Sequence, residues 1–391
     1  KVAPNVKLQI KSQKLLKKRR LWPCGAHFSK LAVQYYVKRL LLCIFCLAPF
    51  FPLNGGEIEL NPVIDGAELQ IAYDGSVMEM QWWGGGLLEE SADGSVWNVV
   101  ATKSPFRASG SDKNLYRVRD HWEGSRSITV NVPQSYRGDK SFPLFLLLHG
   151  FSQGADSFES YFKMKPLVDS HDIILVNAEG TRNSVGLPFW NAFGKCCDIE
   201  GSGVDDSSYL RGLIEAVRDK LNIDESRVYV LGHSNGGFMA YQMACEHSDI
   251  IAGIVSFAGG TILDKERCVP ANPVSVLHVH GIADPIVPYI GLSEPFGVPF
   301  EGALSSVETW AEYNGVGPLA NDVFASLNLV ALDFGNDTLR TRSPGNGHGD
   351  VELWSMLNGS HVPLLSYSSD GTSTRLAEIA VEWLLRRSKF D

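Results

Sequence analysis

The chain has 391 residues, of which 44% are hydrophobic and 20% are charged, and its formal net charge is −9. This length exceeds one typical domain and is sufficient for a sizeable hydrophobic core. The first 56 residues hold 11 of the 35 Lys and Arg residues and no Asp or Glu, so the rest of the chain has a formal net charge of −20. Because an acidic body repels phosphates, the composition argues against a nucleic-acid-binding protein.

The amino end predicts a targeting segment. Lys38 and Arg39 precede an apolar run over residues 40–53 that ends among prolines. A basic region followed by a short apolar run is typical of a signal peptide, and this run is too short to span a bilayer. We assign residues 1–56 to a basic leader with a signal-peptide-like segment, and expect an extracellular or periplasmic protein with no stable membrane partner. An uncleaved membrane-proximal anchor is the alternative.

Residues 57–120 predict a small all-β accessory module, with 121–125 as a linker. Short alternating runs separated by Gly and Asp-Gly turns occupy residues 68–72, 77–83, 92–97 and 115–118. Helical periodicity is absent there, which favours a β-sandwich. The tryptophans at 82, 83 and 97 could bind a sugar or polymer, but core packing is the favoured interpretation.

Residues 125–391 alternate strand-like and helix-like segments. Strands are expected near residues 172–177 and 250–257, and helices near 303–313 and 376–387. This alternation predicts a mostly parallel, doubly wound sheet covered by helices on both faces. Functional loops are then expected at the carboxyl ends of the strands.

The most informative motif is Gly-His-Ser-Asn-Gly at residues 232–236. A β-branched and aromatic run precedes it at 227–231, and a helix-like run follows at 238–244. Strand, sharp turn and helix form a nucleophile elbow, in which glycines allow the serine hydroxyl to project from a strained turn. Ser234 is therefore the candidate nucleophile, the alternative being a Gly-rich turn with a helix-capping serine.

A serine nucleophile needs a histidine base and a carboxylate that orients it, and after such an elbow they follow in the order acid, then histidine. Asp284 lies in a loop after the strand-like run 273–280, although an Asx-turn before proline is its alternative role. His361 follows the last strand-like run, 351–356, whereas the competing His348 precedes that run and would face the opposite edge of the sheet. His278, inside a strand, is interpreted as structural.

Two further features belong to the expected site. The apolar strand 142–148 opens into His149 and Gly150, so the backbone N–H groups of Phe151 and Asn235 are the candidate oxyanion donors. Trp190 is the candidate for a wall of the substrate pocket, although a tryptophan at the end of a strand belongs to the core more often than to a cleft.

Four cysteines fall in the body of the chain, at positions 196, 197, 245 and 268. They allow two disulfides with three connectivities or buried free thiols, although the adjacent pair is not expected to bond to itself. Their spacing does not indicate zinc, and Asp205 and Asp206 precede a helix-like run where capping is favoured over metal binding. We therefore predict no metal site.

Residues 125–389 resemble secreted α/β-hydrolase esterases of the polyhydroxybutyrate depolymerase and feruloyl esterase type. The resemblance rests on residues 126–133, 149–150, 189–192, 196–197, 204–206, 232–237 and 280–289. It implies an α/β-hydrolase fold without a cofactor, and a triad at Ser234, Asp284 and His361. In similar enzymes the histidine usually follows glycines and precedes Trp-Pro, whereas here Val362 stands in place of the tryptophan.

The sequence thus predicts a secreted serine esterase that acts through an acyl-enzyme. By resemblance its substrate is a polyhydroxyalkanoate oligomer or a hydroxycinnamoyl ester of plant polysaccharide. The expected substrates include polymers. A serine peptidase of the same fold is one alternative, and an inactive extracellular binding protein is another.

Overall fold

A computed structural model describes residues 126, 128–193, 196–292, 299–331, 337–343 and 348–389, together with the backbone of eight earlier strands. The expected signal segment at 40–53, the run at 92–97, the three tryptophans of the expected module and the linker 121–125 lie outside the described residues. The early strands are β1 (Lys7–Gln9), β2 (Gly56–Asn61), β3 (Gln70–Tyr73), β4 (Val77–Gln81), β5 (Leu87–Ser91), β6 (Asn98–Ala101), β7 (Phe106–Ser109) and β8 (Leu115–Arg119).

These early strands enter three sheets. Strands β3, β4 and β7 form one three-stranded antiparallel sheet, and β6, β5 and β8 form another. Strand β2 instead pairs with a strand of the carboxyl-terminal part, at residues 128–132, and with β1. The boundary of the accessory module at 57–120 stays a prediction.

The remaining strands build the main sheet and two short hairpins. They are β9 (Ile128–Val132), β10 (Phe142–Leu148), β11 (Ile174–Ala178), β12 (Thr181–Arg182), β13 (Pro188–Phe189), β14 (Ile223–His233), β15 (Gly253–Phe257), β16 (Ser275–Gly281), β17 (Gly291–Leu292), β18 (Phe300–Glu301), β19 (Ala320–Leu327), β20 (Thr338–Arg342) and β21 (Val351–Met356).

The main sheet has the order β1-β2-β9-β11-β10-β14-β15-β16-β21-β20-β19. Its six central strands, from β11 to β21 in that order, are parallel, and the strands outside them are antiparallel. The central strands are almost entirely buried, as expected where both faces of a parallel sheet are covered. The prediction of a mostly parallel sheet is confirmed.

Helices cover both faces of this sheet. Their bounds are α1 (Ala155–Phe162), α2 (Leu167–Ser170), α3 (Asp206–Arg218), α4 (Asn235–Glu246), α5 (Ala303–Tyr313) and α6 (Arg375–Leu385). Helices α3, α4 and α5 pack in one hydrophobic core with Leu144, Leu146 and Leu148, whereas α1, α2 and α6 pack in a second core with Phe145 and Leu147. Successive residues of β10 therefore point to opposite faces, as the alternation of side chains along a strand requires.

Two polar features fix the packing of α3. Asp205 caps this helix by accepting the backbone N–H of Ser208 at 3.0 Å, as predicted. Asp206 does not act as a cap: its fully buried carboxylate lies 2.7 Å from Arg126 and accepts the Asn191 backbone N–H. Replacing either partner of this buried ion pair would destabilise the fold, because the other charge would be left buried without a partner.

The cysteines divide into a disulfide and a pair of thiols. Cys245, at the end of α4, is bonded to Cys268. Cys196 and Cys197 remain thiols whose Sγ atoms lie 3.0 Å apart. The two-disulfide alternative is therefore wrong for these four cysteines, because one disulfide forms and the adjacent pair stays as thiols, which are not bonded to each other as expected.

Candidate active site

Ser234 occupies a sharp turn between a strand and a helix. Strand β14 ends at His233 and helix α4 begins at Asn235, and Ser234 between them has φ 54° and ψ −119°. This backbone conformation is strained for a residue with a side chain, and such strain is characteristic of functional turns. A Cβ at Gly232 would lie 2.0 Å from the carbonyl oxygen of Gly236, so the turn requires glycine there.

Three side chains from distant loops form a hydrogen-bonded row, which we name the Ser–His–Asp triad. His361 Nε2 lies 2.9 Å from Ser234 Oγ, and His361 Nδ1 lies 2.7 Å from Asp284 Oδ2. Because a carboxylate only accepts, Nδ1 carries the proton, and Nε2 is left to accept the serine hydroxyl. The structure thus brings together the three residues that the sequence singled out.

The parallel sheet explains why these loops meet. Asp284 follows β16 and His361 follows β21, and these neighbouring strands pair in parallel up to Gly281 and Met356. The loops themselves are joined by backbone hydrogen bonds, such as that from the Ala283 N–H to the Gly359 carbonyl at 3.0 Å. Carboxyl ends of parallel strands lie at one edge of the sheet, so both side chains arrive beside the turn after β14.

Asp284 is held as a carboxylate by four donors. Its Oδ1 accepts the backbone N–H groups of Ile286 and Val287 at 2.8 and 2.9 Å, and its Oδ2 faces His361 at 2.7 Å and His280 at 3.3 Å. Burial opposes ionisation, but these hydrogen bonds outweigh it and hold the pKa of Asp284 well below its usual range. The carboxylate is therefore ionised at neutral pH.

The turn after β10 lies against Ser234. Leu148 pairs with Gly232, and a Cβ placed on Gly150 would lie 3.3 Å from Ser234 Cβ. The Gly150 N–H donates to Gln153 Oε1 at 3.0 Å, and the Ser152 N–H donates to the Pro188 carbonyl at 2.7 Å. These bonds fix the backbone on both sides of Phe151.

Asn235 connects the start of helix α4 to the segment that contains Trp190. As the first residue of α4, it has a backbone N–H without an intrahelical acceptor. Its side chain exchanges two hydrogen bonds with the backbone of Trp190, at 2.7 and 2.8 Å. Both Phe151 and Asn235 line one cavity together with Ser234.

His233 supports the triad histidine, and sequence reasoning did not single it out. Its ring is almost fully buried, and Nε2 lies 2.9 Å from the backbone carbonyl of His361. Since a carbonyl only accepts, Nε2 donates this bond and tethers the loop of His361. Burial, followed by the proximity of His361, lowers the pKa of His233 to about 4, so its ring is neutral at physiological pH.

A cavity of about 220 Å³ opens in front of Ser234 and His361. Its other lining residues are mostly apolar: Phe151, Ala192, Phe193, Cys196, Cys197, Ile199, Asn235, Phe238, Thr261, Ile262, Ile286, Val287, Pro299 and Phe300. Among these residues no Asp, Glu, Lys or Arg occurs, and four are phenylalanines. An uncharged and mostly apolar group fits such a surface.

Trp190 lies deeper than expected and is not among the residues that line this cavity. Its side chain is fully buried, and its indole N–H donates to the His149 carbonyl at 2.9 Å. This position matches the core alternative rather than a pocket wall. The reason is that the strand-end tryptophan spans from the 189–192 segment to the turn after β10 and fills the space between them.

The competing histidine has a different hydrogen-bond partner. His348 precedes β21, and its Nδ1 lies 3.3 Å from the backbone carbonyl of Ser388 near the carboxyl terminus, whereas the Ser234 hydroxyl is engaged by His361. Within the described part of the chain, no cluster of three or more His, Cys, Asp or Glu side chains is arranged to hold a metal ion. No helix in that part is long and apolar enough to cross a membrane.

The chain is similar to several known proteins. A family profile described as alpha/beta hydrolase fold matches residues 143–290. Feruloyl esterase B of Piromyces equi is 31% identical over 49% of this chain and 36% of its own length. A bifunctional acetylxylan esterase/xylanase of Neocallimastix patriciarum is 28% identical over 42% of this chain and 22% of its own length.

An acetyl xylan esterase structure from Aspergillus awamori aligns over 68% of this chain and 97% of its own, with a TM-score of 0.45 and 12% identity. The chain spans well under two thirds of the length of the two curated relatives above. The match to the hydrolase profile covers β10 to β16, including the turn at Ser234 and the loop at Asp284. The chain therefore has an α/β-hydrolase fold and is similar in sequence to esterases of the feruloyl and acetylxylan type.

Proposed function

We propose that this protein is a serine hydrolase of carboxylic esters. The observation that carries the proposal is the row from Ser234 through His361 to Asp284, at 2.9 and 2.7 Å, which opens on an apolar cavity. A neutral serine is a poor nucleophile, and a histidine in the correct tautomer is what activates it. The similarity to a feruloyl esterase and an acetylxylan esterase supports ester rather than peptide bonds as substrate.

The proposed reaction proceeds through an acyl-enzyme. His361 Nε2 takes the proton of Ser234 as Oγ attacks the ester carbonyl carbon, and Asp284 stabilises the imidazolium that forms. The backbone N–H groups of Phe151 and Asn235 stabilise the oxyanion. His361 then protonates the departing alcohol, and a water molecule, deprotonated by His361, releases the acid and restores the serine.

The substrate class is an extension of this proposal. Among the described residues that line the cavity, four are phenylalanines and none is an Asp, Glu, Lys or Arg, which favours an acyl group without charge. Feruloyl esters and hydroxyalkanoate oligomers both meet this requirement, and the name of the Piromyces relative favours the former. We also propose that the protein is secreted, on the basis of its basic leader and apolar run at 40–53.

Hydrolysis of a short-chain 4-nitrophenyl ester by the full chain tests the proposal. Ser234→Ala and His361→Ala are each expected to lower kcat by roughly 10⁴-fold or more, because the remaining members of a triad do not replace the missing one. His348→Ala is the matched control, since it removes the same side chain at the competing position, and it is expected to leave kcat unchanged.

Each alternative has a distinct outcome. Cleavage of peptide anilides faster than esters would favour the serine peptidase. A folded wild-type protein without activity on either substrate would favour the binding protein. Loss of activity in His348→Ala, with activity retained in His361→Ala, would show that His348 rather than His361 is the base.

A further inference from the structure

A second row of polar side chains lies behind Asp284, inside the core. Tyr241 Oη lies 2.7 Å from His278 Nδ1, and His278 Nε2 lies 2.9 Å from His280 Nδ1. His280 Nε2 in turn lies 2.8 Å from the Val287 carbonyl and 3.3 Å from Asp284 Oδ2. Tyr241, His278 and His280 are 0% exposed.

The proton positions in this row are fixed by its end at Val287. The carbonyl oxygen only accepts, so His280 Nε2 carries a proton that is shared with Asp284 Oδ2. In a neutral ring His280 Nδ1 must then accept, which makes His278 Nε2 the donor to it. By the same argument His278 Nδ1 accepts the hydroxyl proton of Tyr241, so every donor points toward Asp284.

Core filling alone does not explain this row. Residues 278 and 280 lie on one face of β16, and their rings stack with centroids 5.2 Å apart, among strands that otherwise bury mostly apolar side chains. Buried imidazoles are costly unless each nitrogen has a partner, and here each nitrogen has one. Three polar side chains thus hold a single N–H that donates to the Val287 carbonyl and also lies 3.3 Å from the triad carboxylate.

We propose that His280 is a positioning residue that, held by His278 and Tyr241, fixes the Asp284 carboxylate that orients His361. This inference rests on the proposed function of the Ser–His–Asp triad. His280 does not line the cavity, so it acts on the reaction only through Asp284. A rotated Asp284 would leave His361 free to lose the tautomer in which Nε2 faces Ser234.

The test compares His280→Leu with His280→Gln in the full chain. Leucine fills the space without a donor, whereas the glutamine amide nitrogen reaches the position of Nε2 and can still donate. We expect His280→Leu to lower kcat roughly 10- to 100-fold with little change in KM, the range for one hydrogen bond to a charged group. His280→Gln is expected to recover most of this loss.

The pH profile separates positioning from structural support. Without the His280 N–H, Asp284 is expected to rotate away from His361 and to stabilise its imidazolium form less. The acid limb of kcat/KM should therefore move to lower pH in His280→Leu and return in His280→Gln. The titratable groups in contact with His280 are His278, Asp284 and Tyr289, with His361 acting through Asp284. Tyr241→Phe, at the far end of the row, should show a smaller shift in the same direction.

Two results would overturn the proposal. One is a folded His280→Leu protein with wild-type kcat and an unmoved acid limb. The other is equal loss in the leucine and glutamine variants with the acid limb unchanged, since this would show structural support alone.

The proposed function is tested separately by Ser234→Ala. If wild type and Ser234→Ala are equally inactive, the proposed function fails. The proton on His361 Nδ1 can then be followed by ¹H NMR of the folded protein, where its downfield signal should persist in His280→Gln and be lost in His280→Leu. An unchanged signal in both variants would also contradict the positioning role.

Discussion

The two sides of the Ser–His–Asp triad differ sharply in chemistry. In front of Ser234, the cavity is lined mostly by apolar side chains from distant parts of the chain, including Phe193, Phe238 and Phe300. Behind Asp284, by contrast, buried hydrogen bonds satisfy the carboxylate and continue into the core as far as Tyr241. Under the proposed function, the polar side sets the protonation and geometry of the reacting groups, while the apolar side selects the acyl group by shape.

The largest effect is expected where the polar side meets the triad. Asp284→Asn should lower kcat by roughly 10⁴-fold with little loss of fold, because the amide nitrogen would face the donors of His280 and His361 and force His361 into the wrong tautomer. Asp249→Asn, at a half-exposed carboxylate paired with Arg211, is the control and should leave kcat unchanged. If the activity of Asp284→Asn stays within about tenfold of wild type, the polar side does not control the tautomer of His361.

A smaller effect concerns His233, which tethers the His361 loop. Burial lowers its pKa from the ordinary 6.5 to about 4, so below 6.5 the unfolded chain binds a proton that the folded chain does not. Stability is therefore lost as the pH falls from about 6.5 toward about 4, and the loss attributable to His233 between pH 7 and pH 5 is roughly 2 kcal/mol.

Urea unfolding of wild type and His233→Gln at the two pH values measures this loss. Glutamine keeps a donor near the His361 carbonyl but does not titrate, so the variant should lose less stability at pH 5 by that amount. The other buried histidines titrate in both proteins and cancel. If the free energy of unfolding falls equally in the two proteins between pH 7 and pH 5, protonation of His233 does not contribute to the loss of stability.

The smallest effect belongs to the apolar side. Ile199 lines the cavity with 66% of its surface exposed, so Ile199→Ser should remove only part of an apolar contact. We expect kcat/KM to fall about fivefold for a hexanoyl ester and little for an acetyl ester. Leu339→Ser, at an exposed apolar residue that does not line the cavity, is the control. An unchanged acyl-chain preference would separate Ile199 from substrate binding.

The nucleophile turn could be predicted from sequence because its determinants are local. The run before Ser234, the flanking glycines and the helix after it all lie in one short segment, and the structure has them as β14, the turn and α4. Asp284 and His361 could be located because each follows a strand of a parallel sheet, where loops gather at one edge. Helices α5 and α6 were likewise expected within a residue or two of their observed bounds.

Other features depend on contacts that no local pattern encodes. In the sequence, His278 and His280 are ordinary residues of a strand. Their hydrogen bonds with Tyr241 and Val287 exist only in the folded structure. The sequence allowed two disulfides or free thiols, and only the fold decides that Cys245 and Cys268 form a bond while Cys196 and Cys197 stay as thiols. Trp190 was named as a candidate wall although a core position was more common for such a residue, and its burial depends on a contact with the turn after β10.

The most direct test of the account is the site of covalent modification by an activated 4-nitrophenyl phosphonate. Attack by Ser234 Oγ forms the O–P bond, releases nitrophenolate and passes the hydroxyl proton to His361. We predict that peptide mapping by mass spectrometry finds the phosphonyl group on Ser234, that His361→Ala slows its formation by roughly 10³-fold or more, and that His348→Ala does not. Modification at another residue, or an equal rate in His361→Ala, would contradict the assignment of Ser234 as a nucleophile activated by His361.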